Sequence, residues 1–168
     1  MAVGKKTYEK RPTIHIQNFE LTCEDSVKLL GIEIDYQLNF DTHISTICRK
    51  ASQKLNIIKR LGLYLNRLNK FTIFHTFILC NFNLCPLAWH FCMEKNSKKI
   101  EKVQERAFRF VYEDYNSSYD NLLKKAKAPS LQIHRMRTMA LETFKIMNKL
   151  SPSCLHNLVH LRNIKILF

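Results

Sequence analysis

The stretch from His43 to Met93 contains no aspartate or glutamate, although seven lysines and arginines fall within it: Arg49, Lys50, Lys54, Lys59, Arg60, Arg67 and Lys70. The whole chain of 168 residues carries a formal net charge of +13. Self-repulsion at that charge opposes a compact state, and nucleic acid is the commonest polyanion that would offset it. The sequence therefore predicts a basic surface that contacts nucleic acid, with an inert basic surface as the alternative.

A long amphipathic helix opens this acid-free stretch. Its apolar residues recur at helical spacing and form one stripe: Ile44, Ile47, Cys48, Ala51, Leu55 and Ile58. Asp41 is expected to be the N-cap and Gly62 to end the helix. On a helical wheel Arg49 and Arg60 lie opposite the stripe, near Lys50. Because ordinary solvent-facing helix surfaces mix both signs of charge, the missing glutamates favour a binding face over a merely solvated one.

A short strand precedes that helix, over Val27–Asp35. Ile32 and Ile34 alternate with acidic residues, which gives one apolar and one polar face. Gly31 is expected inside the strand, where a glycine usually marks a bulge or the close approach of another backbone. Two further strands are predicted at 13–17 and 19–22. Together these strands would form a small sheet that must pack on the helices to be stable.

Four further helical segments are predicted after the basic helix. The first, 68–82, is a core helix that must end before Pro86, and Trp89 beyond it is expected in the core. The next begins at Asn96 or Ser97, a short one follows Ser118, and the last long one opens at Pro129–Ser130. The inward face of that last helix is expected to be Ile133, Met136, Ala140, Phe144 and Met147. Residues 153–161 are predicted to add one short helix.

The fold class predicted from these patterns is mainly α, within α+β. A small N-terminal antiparallel β-hairpin or sheet precedes a bundle of about four to six helices.

Catalytic and cofactor motifs are missing from the sequence. Only three glycines are present, which excludes a glycine-rich phosphate-binding loop, and neither an Asp-Asp pair nor a His-Glu-x-x-His helix occurs. Cys80, Cys85, His90 and Cys92 resemble a metal site, but their spacing is wider than that of zinc ligands. Buried thiols beside aromatic rings are the preferred interpretation. The sequence thus predicts no catalytic residue, no metal and no cofactor.

The compartment is predicted from the cysteines and the N-terminus. The six cysteines do not resemble a disulfide framework, and the first residues do not form a secretory signal. An intracellular protein of the nucleus or cytoplasm, not secreted, is expected. The apolar stretch 71–92 approaches membrane-spanning length, but histidines, asparagines and Pro86 interrupt it, so no membrane segment is predicted.

Several segments carry a family resemblance through their order along the chain: Met1–Lys6, Val27–Asp35, Leu38–Ile44, Cys48–Leu55, Asn83–Trp89, Lys102–Arg109 and Tyr119–Leu123. In that order they resemble the region just downstream of the active site in reverse transcriptases of non-LTR retrotransposons (LINE elements, jockey-like). The resemblance covers the chain roughly from Val3 to Leu158.

The resemblance implies two domains and a set of binding residues. Residues 1–40 correspond to a palm remnant with a primer-grip-like hairpin, and residues 41–163 to a helical thumb-like domain. In such polymerases the hairpin positions the primer end, and the first thumb helix lies along the minor groove of the template–primer duplex. The implied nucleic-acid-binding residues are Lys28, Leu30, Gly31 and Ile32 on the hairpin, and Arg49, Lys50, Lys54 and Arg60 on the helix.

The chain departs from the family at the catalytic centre. The family's catalytic box, an aromatic residue followed by Ala-Asp-Asp, lies upstream and does not occur here, nor do the fingers. Polymerisation in the parent family needs those carboxylates to hold two Mg²⁺ ions. We therefore expect this chain alone not to be an enzyme, and we expect the missing palm and fingers to be its natural partners.

Three hypotheses remain open from the sequence. The first is a reverse-transcriptase thumb fragment that holds an RNA–DNA hybrid or duplex. The second is a standalone basic helical module that binds RNA or DNA. The third is a module that docks a protein partner through an apolar surface. Exposed apolar residues on the small sheet would favour the first or third hypothesis, and polar residues there would favour the second.

Overall fold

The computed structural model describes residues 14–16, 19–21 and 24–156. Its strands are β1 (Ile14–Ile16), β2 (Phe19–Leu21), β3 (Ser26–Leu29) and β4 (Ile32–Asp35), and its helices are α1 (Asp41–Arg60), α2 (Arg67–Ile73), α3 (Glu94–Tyr112), α4 (Tyr119–Ala126) and α5 (Leu131–Met147). The predicted class, mainly α with an N-terminal antiparallel hairpin, is confirmed.

The predicted strand over Val27–Asp35 is wrong, because this segment is a β-hairpin. Its strands β3 and β4 pair in register, with Leu29 opposite Ile32. Leu30 and Gly31 form the two-residue turn, with φ angles of 48° and 89°. Positive φ at both turn residues is the type I′ geometry that matches the right-handed twist of paired strands. Gly31 is therefore a turn residue rather than a strand residue.

The strands form two separate two-stranded sheets within the described residues, so the single predicted sheet is also wrong. β1 pairs with β2, and β3 pairs with β4. Strand β4 joins the core through the buried Ile32 and the partly buried Ile34. Large apolar side chains remain exposed on both sheets: Ile16, Phe19, Val27 and Leu29. This apolar exposure matches the pattern expected for a fragment or a protein-docking module.

The first helix, α1, begins differently from the prediction. Asp41 is its first helical residue, and Phe40, with left-handed backbone at φ 58°, occupies the N-cap position. The carboxylate of Asp35 organises the approach, because it accepts hydrogen bonds from the backbone N–H groups of Gln37, Asn39 and Phe40. The predicted apolar stripe is confirmed, since all its members are buried apart from the half-buried Cys48.

Gly62 follows the end of α1, as predicted, but its role there is not to adopt left-handed backbone. The helix ends at Arg60, but Gly62 does not adopt left-handed backbone. A Cβ atom at Gly62 would lie 2.7 Å from a ring carbon of Phe110 on α3. The missing side chain therefore makes room for a core aromatic ring where α1 passes the end of α3.

The segment from Arg67 to Phe82 is one helical run, close to the predicted 68–82. α2 is followed by a π-helical stretch, Phe74–Ile78, and a 3₁₀ stretch, Leu79–Phe82. The run starts beside the end of α3, where the buried Lys70 pairs with Glu113 at 2.5 Å and lies over the ring of Phe110. Trp89, in the turns beyond Pro86, is 1% exposed, which confirms its core position.

The last three helices have mixed outcomes. α3 begins at Glu94, two residues before the predicted start, and Met93 provides no side-chain cap. Helices α4 and α5 begin where predicted, after Ser118 and Ser130, and each serine caps its helix through its side chain. Of the predicted helix at 153–161, the described part is a 3₁₀ turn, Ser153–Leu155, and the rest lies outside the described residues.

The predicted inward face of α5 is wrong. Ile133, Met136, Phe144 and Met147 are 47–59% exposed, and Ala140 is exposed as well. Only Leu131 and Arg135 of α5 are buried. The helix is anchored instead at its first turn, where the N–H groups of Leu131 and Gln132 donate to the carboxylate of Glu101 on α3. Docking by these polar contacts leaves the apolar face of α5 exposed.

The hairpin turn generates a stability prediction. Leu30 is 90% exposed and its left-handed backbone is costly for a branched side chain. We expect Leu30→Asn, which creates the favoured Asn-Gly turn, to stabilise the protein by about 0.5–1 kcal/mol. Gly31→Ala should destabilise it by about 1–2 kcal/mol. Urea unfolding of both variants measures these changes, and equal stabilities would contradict the turn geometry.

Buried His43 generates a pH prediction. Its Nδ1 accepts from the N–H of Glu33 at 3.4 Å, and burial lowers its pKa. Because the unfolded state then binds the proton more readily, the free energy of unfolding should fall as the pH drops below about 6.5. His43→Gln should make this fall shallower, as urea unfolding between about pH 7.5 and 5 would show. An unchanged slope in the variant would contradict the assignment.

Candidate nucleic-acid interface

The candidate interface is a groove between α1 and α3. The two helices run in the same direction, because Asn96 donates to Asp41 at their starts and Gly62 meets Phe110 near their ends. Buried apolar residues form the contact between them, among them Ile44, Ala51, Ile100 and Ala107. Parallel packing sets the exposed flank of α1 beside that of α3 for several turns.

The groove is basic along its whole length. Its volume is about 310 Å³, and it is lined by Ser45, Cys48, Arg49, Ser52, Lys99, Lys102, Val103 and Arg106. Four of these residues are cations and none is acidic. A second concavity of about 460 Å³ continues over α3, lined by Glu94, Lys95, Lys98, Lys99 and Lys102. The polar lining between the cations consists of serine hydroxyls.

The four groove cations have no acidic partner within the described residues. Lys99 Nζ donates only to the hydroxyl of Ser45, at 3.3 Å. Other cations of the same helix are paired: Lys98 with Glu94 and Arg109 with Glu105, each at 2.7 Å. The glutamates of α3 are used elsewhere, so the groove cations stay without an ion pair within the described residues and are available for an external anion.

Of the four cations predicted to bind nucleic acid on α1, the groove is lined by Arg49 but not by Lys50, Lys54 or Arg60. Arg49 lines the groove and is exposed. Lys50 is exposed on the flank near His43, where its charge contributes to lowering the pKa of that imidazole. Lys54 is half-buried and donates to Asn81 Oδ1 at 3.0 Å, so its ammonium is already engaged. Arg60 is exposed at the last turn, about 16 Å along the axis from Arg49.

The predicted primer-grip residues lie on the hairpin and do not line the groove. Lys28 and Gly31 are exposed, and Leu30 stands at the tip of the turn. The side chain of Ile32 is 6% exposed and belongs to the core. Among these four residues, Lys28, Leu30 and Gly31 therefore offer side chain or backbone to a ligand at the surface, while Ile32 can offer only its backbone.

The contribution of α3 is the main feature that the sequence analysis missed. Lys95, Lys99, Lys102 and Arg106 recur at spacings of four, three and four residues, which places them on one helical face. Interleaved glutamates hid this stripe, since the segment as a whole mixes both signs of charge. Glu101 and Glu105 lie on other faces, where they bind the start of α5 and Arg109.

Other chemistry receives little support in the part of the chain that the structure describes. No group of histidine, cysteine and carboxylate side chains there could hold a metal ion. Burial raises the pKa of the Cys48 thiol in the groove to about 11, so this thiol is protonated at neutral pH. Cys80 and Cys85 are exposed, contrary to the expectation of buried thiols. No described helix combines the length and apolar character that crossing a membrane requires.

Comparison of the chain with protein-family models, with curated proteins and with solved structures gives no match in any of the three.

The groove's unpaired charges generate a stability prediction. Like charges held together without carboxylates repel one another, so the double variant Lys102→Gln/Arg106→Gln should be stabilised at low ionic strength. The gain should shrink as salt rises, because the Debye length falls from ~30 Å at 0.01 M to ~3 Å at 1 M. Thermal unfolding at both salt concentrations measures it.

The matched control also removes two charges, but from paired cations. Lys98→Gln/Lys145→Gln deletes the partners of Glu94 and Glu142. It should give no comparable gain, since it relieves no unpaired repulsion. Equal stabilisation by the control and the groove variant would show that net charge, and not the groove, is responsible.

Proposed function

We propose that this chain is a non-catalytic module that holds double-stranded nucleic acid in the groove between α1 and α3. The observation that carries the proposal is the set of four unpaired cations, Arg49, Lys99, Lys102 and Arg106, in a groove with no acidic lining residue. Cations without carboxylates, separated by hydroxyl groups, suit phosphate oxygens as ligands. The expected binding is strong at low salt and independent of base sequence.

The dimensions of the groove suit one strand of a duplex. Residues 45–52 of α1 and 99–106 of α3 each extend about 10 Å along their helix axes. A strand of duplex DNA places one phosphate every ~3.4 Å of axis, so about three phosphates fall within that length. Four cations facing about three phosphates would neutralise them nearly completely. Arg60 and Lys50 then lie beyond the groove, where a longer duplex would reach them.

The finer proposal is that the module is thumb-like, a fragment of a non-LTR retrotransposon reverse transcriptase. The ordered segments of the sequence support it, as does the β-hairpin found where the resemblance implies a primer grip. Within such a polymerase the α1–α3 groove would hold the template–primer duplex, and the exposed hairpin tip would approach the primer. The chain would catalyse nothing by itself, because the carboxylates that hold Mg²⁺ in the parent family are not in its sequence.

A second candidate function is docking of a protein partner, and the exposed apolar face of α5 favours it. Ile133, Met136, Phe144 and Met147 lie on the side of α5 opposite the buried Arg135. Arg137 flanks this face and is exposed. A partner with an apolar stripe and acidic flanks suits it better than a second copy of a chain with a charge of +13. The missing palm and fingers remain the expected occupants if the chain is a polymerase fragment.

The test of the proposed function is a binding titration. Fluorescence anisotropy is measured with labelled RNA–DNA hybrid, duplex DNA and single strands at ~50 and ~200 mM salt. If about three phosphates are contacted, the affinity for the duplex forms should fall about 40-fold between the two concentrations. The triple variant Arg49→Gln/Lys102→Gln/Arg106→Gln leaves only Lys99 in the groove and should flatten the salt dependence by about 2 in slope.

A matched variant controls for net charge. Lys124→Gln/Arg137→Gln/Lys145→Gln removes the same number of positive charges, three, from α4 and α5. It should keep most of the affinity and nearly the whole slope, because those cations lie outside the groove. Equal losses in both triple variants would reject the groove. A folded protein that binds none of the nucleic acids would reject the function and leave the protein-docking candidate.

A further inference from the structure

The side chain of Arg135 is buried, and no carboxylate among the described residues forms an ion pair with it. It is 3% exposed, and its guanidinium lies over the indole of Trp89, 5.2 Å from the ring centroid. One of its nitrogens, Nη2, donates to the hydroxyl of Ser97 at 2.9 Å. The other two, Nε and Nη1, have no hydrogen-bond partner. Unpaired buried charges are costly, so this arrangement needs a reason beyond packing.

A cavity of about 400 Å³ adjoins this guanidinium. It lies between the first two turns of α3 and the first half of α5, and its lining residues are His90, Cys92, Glu94, Ser97, Lys98, Glu101, Gln132, Arg135 and Met136. Volumes of this size are typical of small-ligand sites. The exposed side chains of Lys98, Gln132 and Met136 border it on the solvent side.

Both carboxylates of the lining are engaged elsewhere. Glu94 is mostly exposed and pairs with Lys98 at 2.7 Å. Glu101 accepts from the Tyr119 hydroxyl and from the N–H groups of Leu131 and Gln132. Burial lowers the pKa of Arg135 despite the opposing charge of nearby Glu101, and neither carboxylate makes a hydrogen bond or ion pair with the guanidinium within the described residues. An anion from outside the protein would supply the missing counter-charge.

Further donors surround the same space. Ser97 Oγ–H is available once its oxygen accepts from Arg135, and the Nδ1 atom of His90 has no partner. The N-terminal turn of α3 has no side-chain cap, although the N–H groups of Asn96 and Ser97 donate to the carbonyl of Met93. A helix N-terminus also carries partial positive charge, which favours an anion.

We propose that this cavity binds an oxyanion of the phosphate class, held by Arg135 and Ser97 at the start of α3. Nη2 keeps one N–H besides the one it donates to Ser97, so on one side of the guanidinium it forms a fork of two donors with the neighbouring unpartnered nitrogen, which suits an oxyanion. The site is separate from the α1–α3 groove and does not depend on the proposed function. Its phosphate can be free in solution or can stand at the end of an oligonucleotide.

The chain contains one tryptophan, Trp89, and it stacks on Arg135. Its fluorescence therefore reports on the site directly. The purified chain is titrated with sodium phosphate at constant ionic strength, with sodium chloride as the blank. A saturable change in emission is expected with phosphate and no such change with chloride.

The variants assign that signal to the site. Arg135→Met should weaken phosphate binding at least tenfold, and Ser97→Ala should weaken it less. Arg137→Met, an exposed arginine on the same helix, is the matched control and should bind as the unaltered chain does. Because Arg135→Met removes an unpaired buried charge, it should unfold at a temperature no lower than that of the unaltered chain, which keeps it usable.

Two further arms identify the source of the phosphate. A short single strand with a 5′-phosphate is compared with the same strand lacking it, in the triple variant of the α1–α3 groove. Preference for the phosphorylated strand, lost in Arg135→Met, would assign the site to nucleic-acid ends, whereas equal binding would assign it to free phosphate. A non-saturable response to phosphate, or one unchanged in Arg135→Met, would overturn the proposal.

Discussion

The packing of α1 on α3 is the contact on which the rest of the structure depends. Ile44, Ala51, Ile100 and Ala107 are completely buried in it, and the small alanines let the two helices approach closely. Because the helices run parallel, their N-terminal turns meet at one end. Trp89 lies at that end, between His43 of α1 and Arg135 of α5. One helix pair thus positions the basic groove, the buried tryptophan and the cavity beside Arg135.

The same packing concentrates charge that the fold does not neutralise. α3 pairs Lys98 and Arg109 with glutamates on its own surface, yet leaves the cations beside α1 unpaired. Arg135 repeats this pattern in the interior, without a carboxylate partner in the described part of the chain. Unpaired charges lower stability, and proteins retain such groups mainly where an external ligand completes them. Exposed apolar residues on α5 and on both small sheets add a second set of incomplete surfaces.

The sequence predicted those elements whose signals are local. The stripe of α1, the serine caps of α4 and α5 and the core position of Trp89 follow from spacing, capping chemistry and flanking residues. The alternation predicts a strand through Gly31, but its phase shifts between Leu29 and Ile32, which fits two strands joined by a two-residue turn. The outward face of α5 could not be foreseen, since its orientation is fixed by Glu101, thirty residues earlier in the chain. The basic groove is predicted only in part from the sequence. Arg49 is recognisable because its helix lacks acidic residues, whereas the cations of α3 are interspersed with glutamates that lie on other faces of that helix.

We propose that duplex nucleic acid binds along the α1–α3 groove. The most direct measurement is NMR of ¹⁵N-labelled protein titrated with an RNA–DNA hybrid, with amide shifts followed residue by residue. We predict that the largest shifts lie at residues 45–52 and 99–106, which line the groove. Shifts confined to the α5 face, or no shifts from a folded protein at low salt, would contradict the claim.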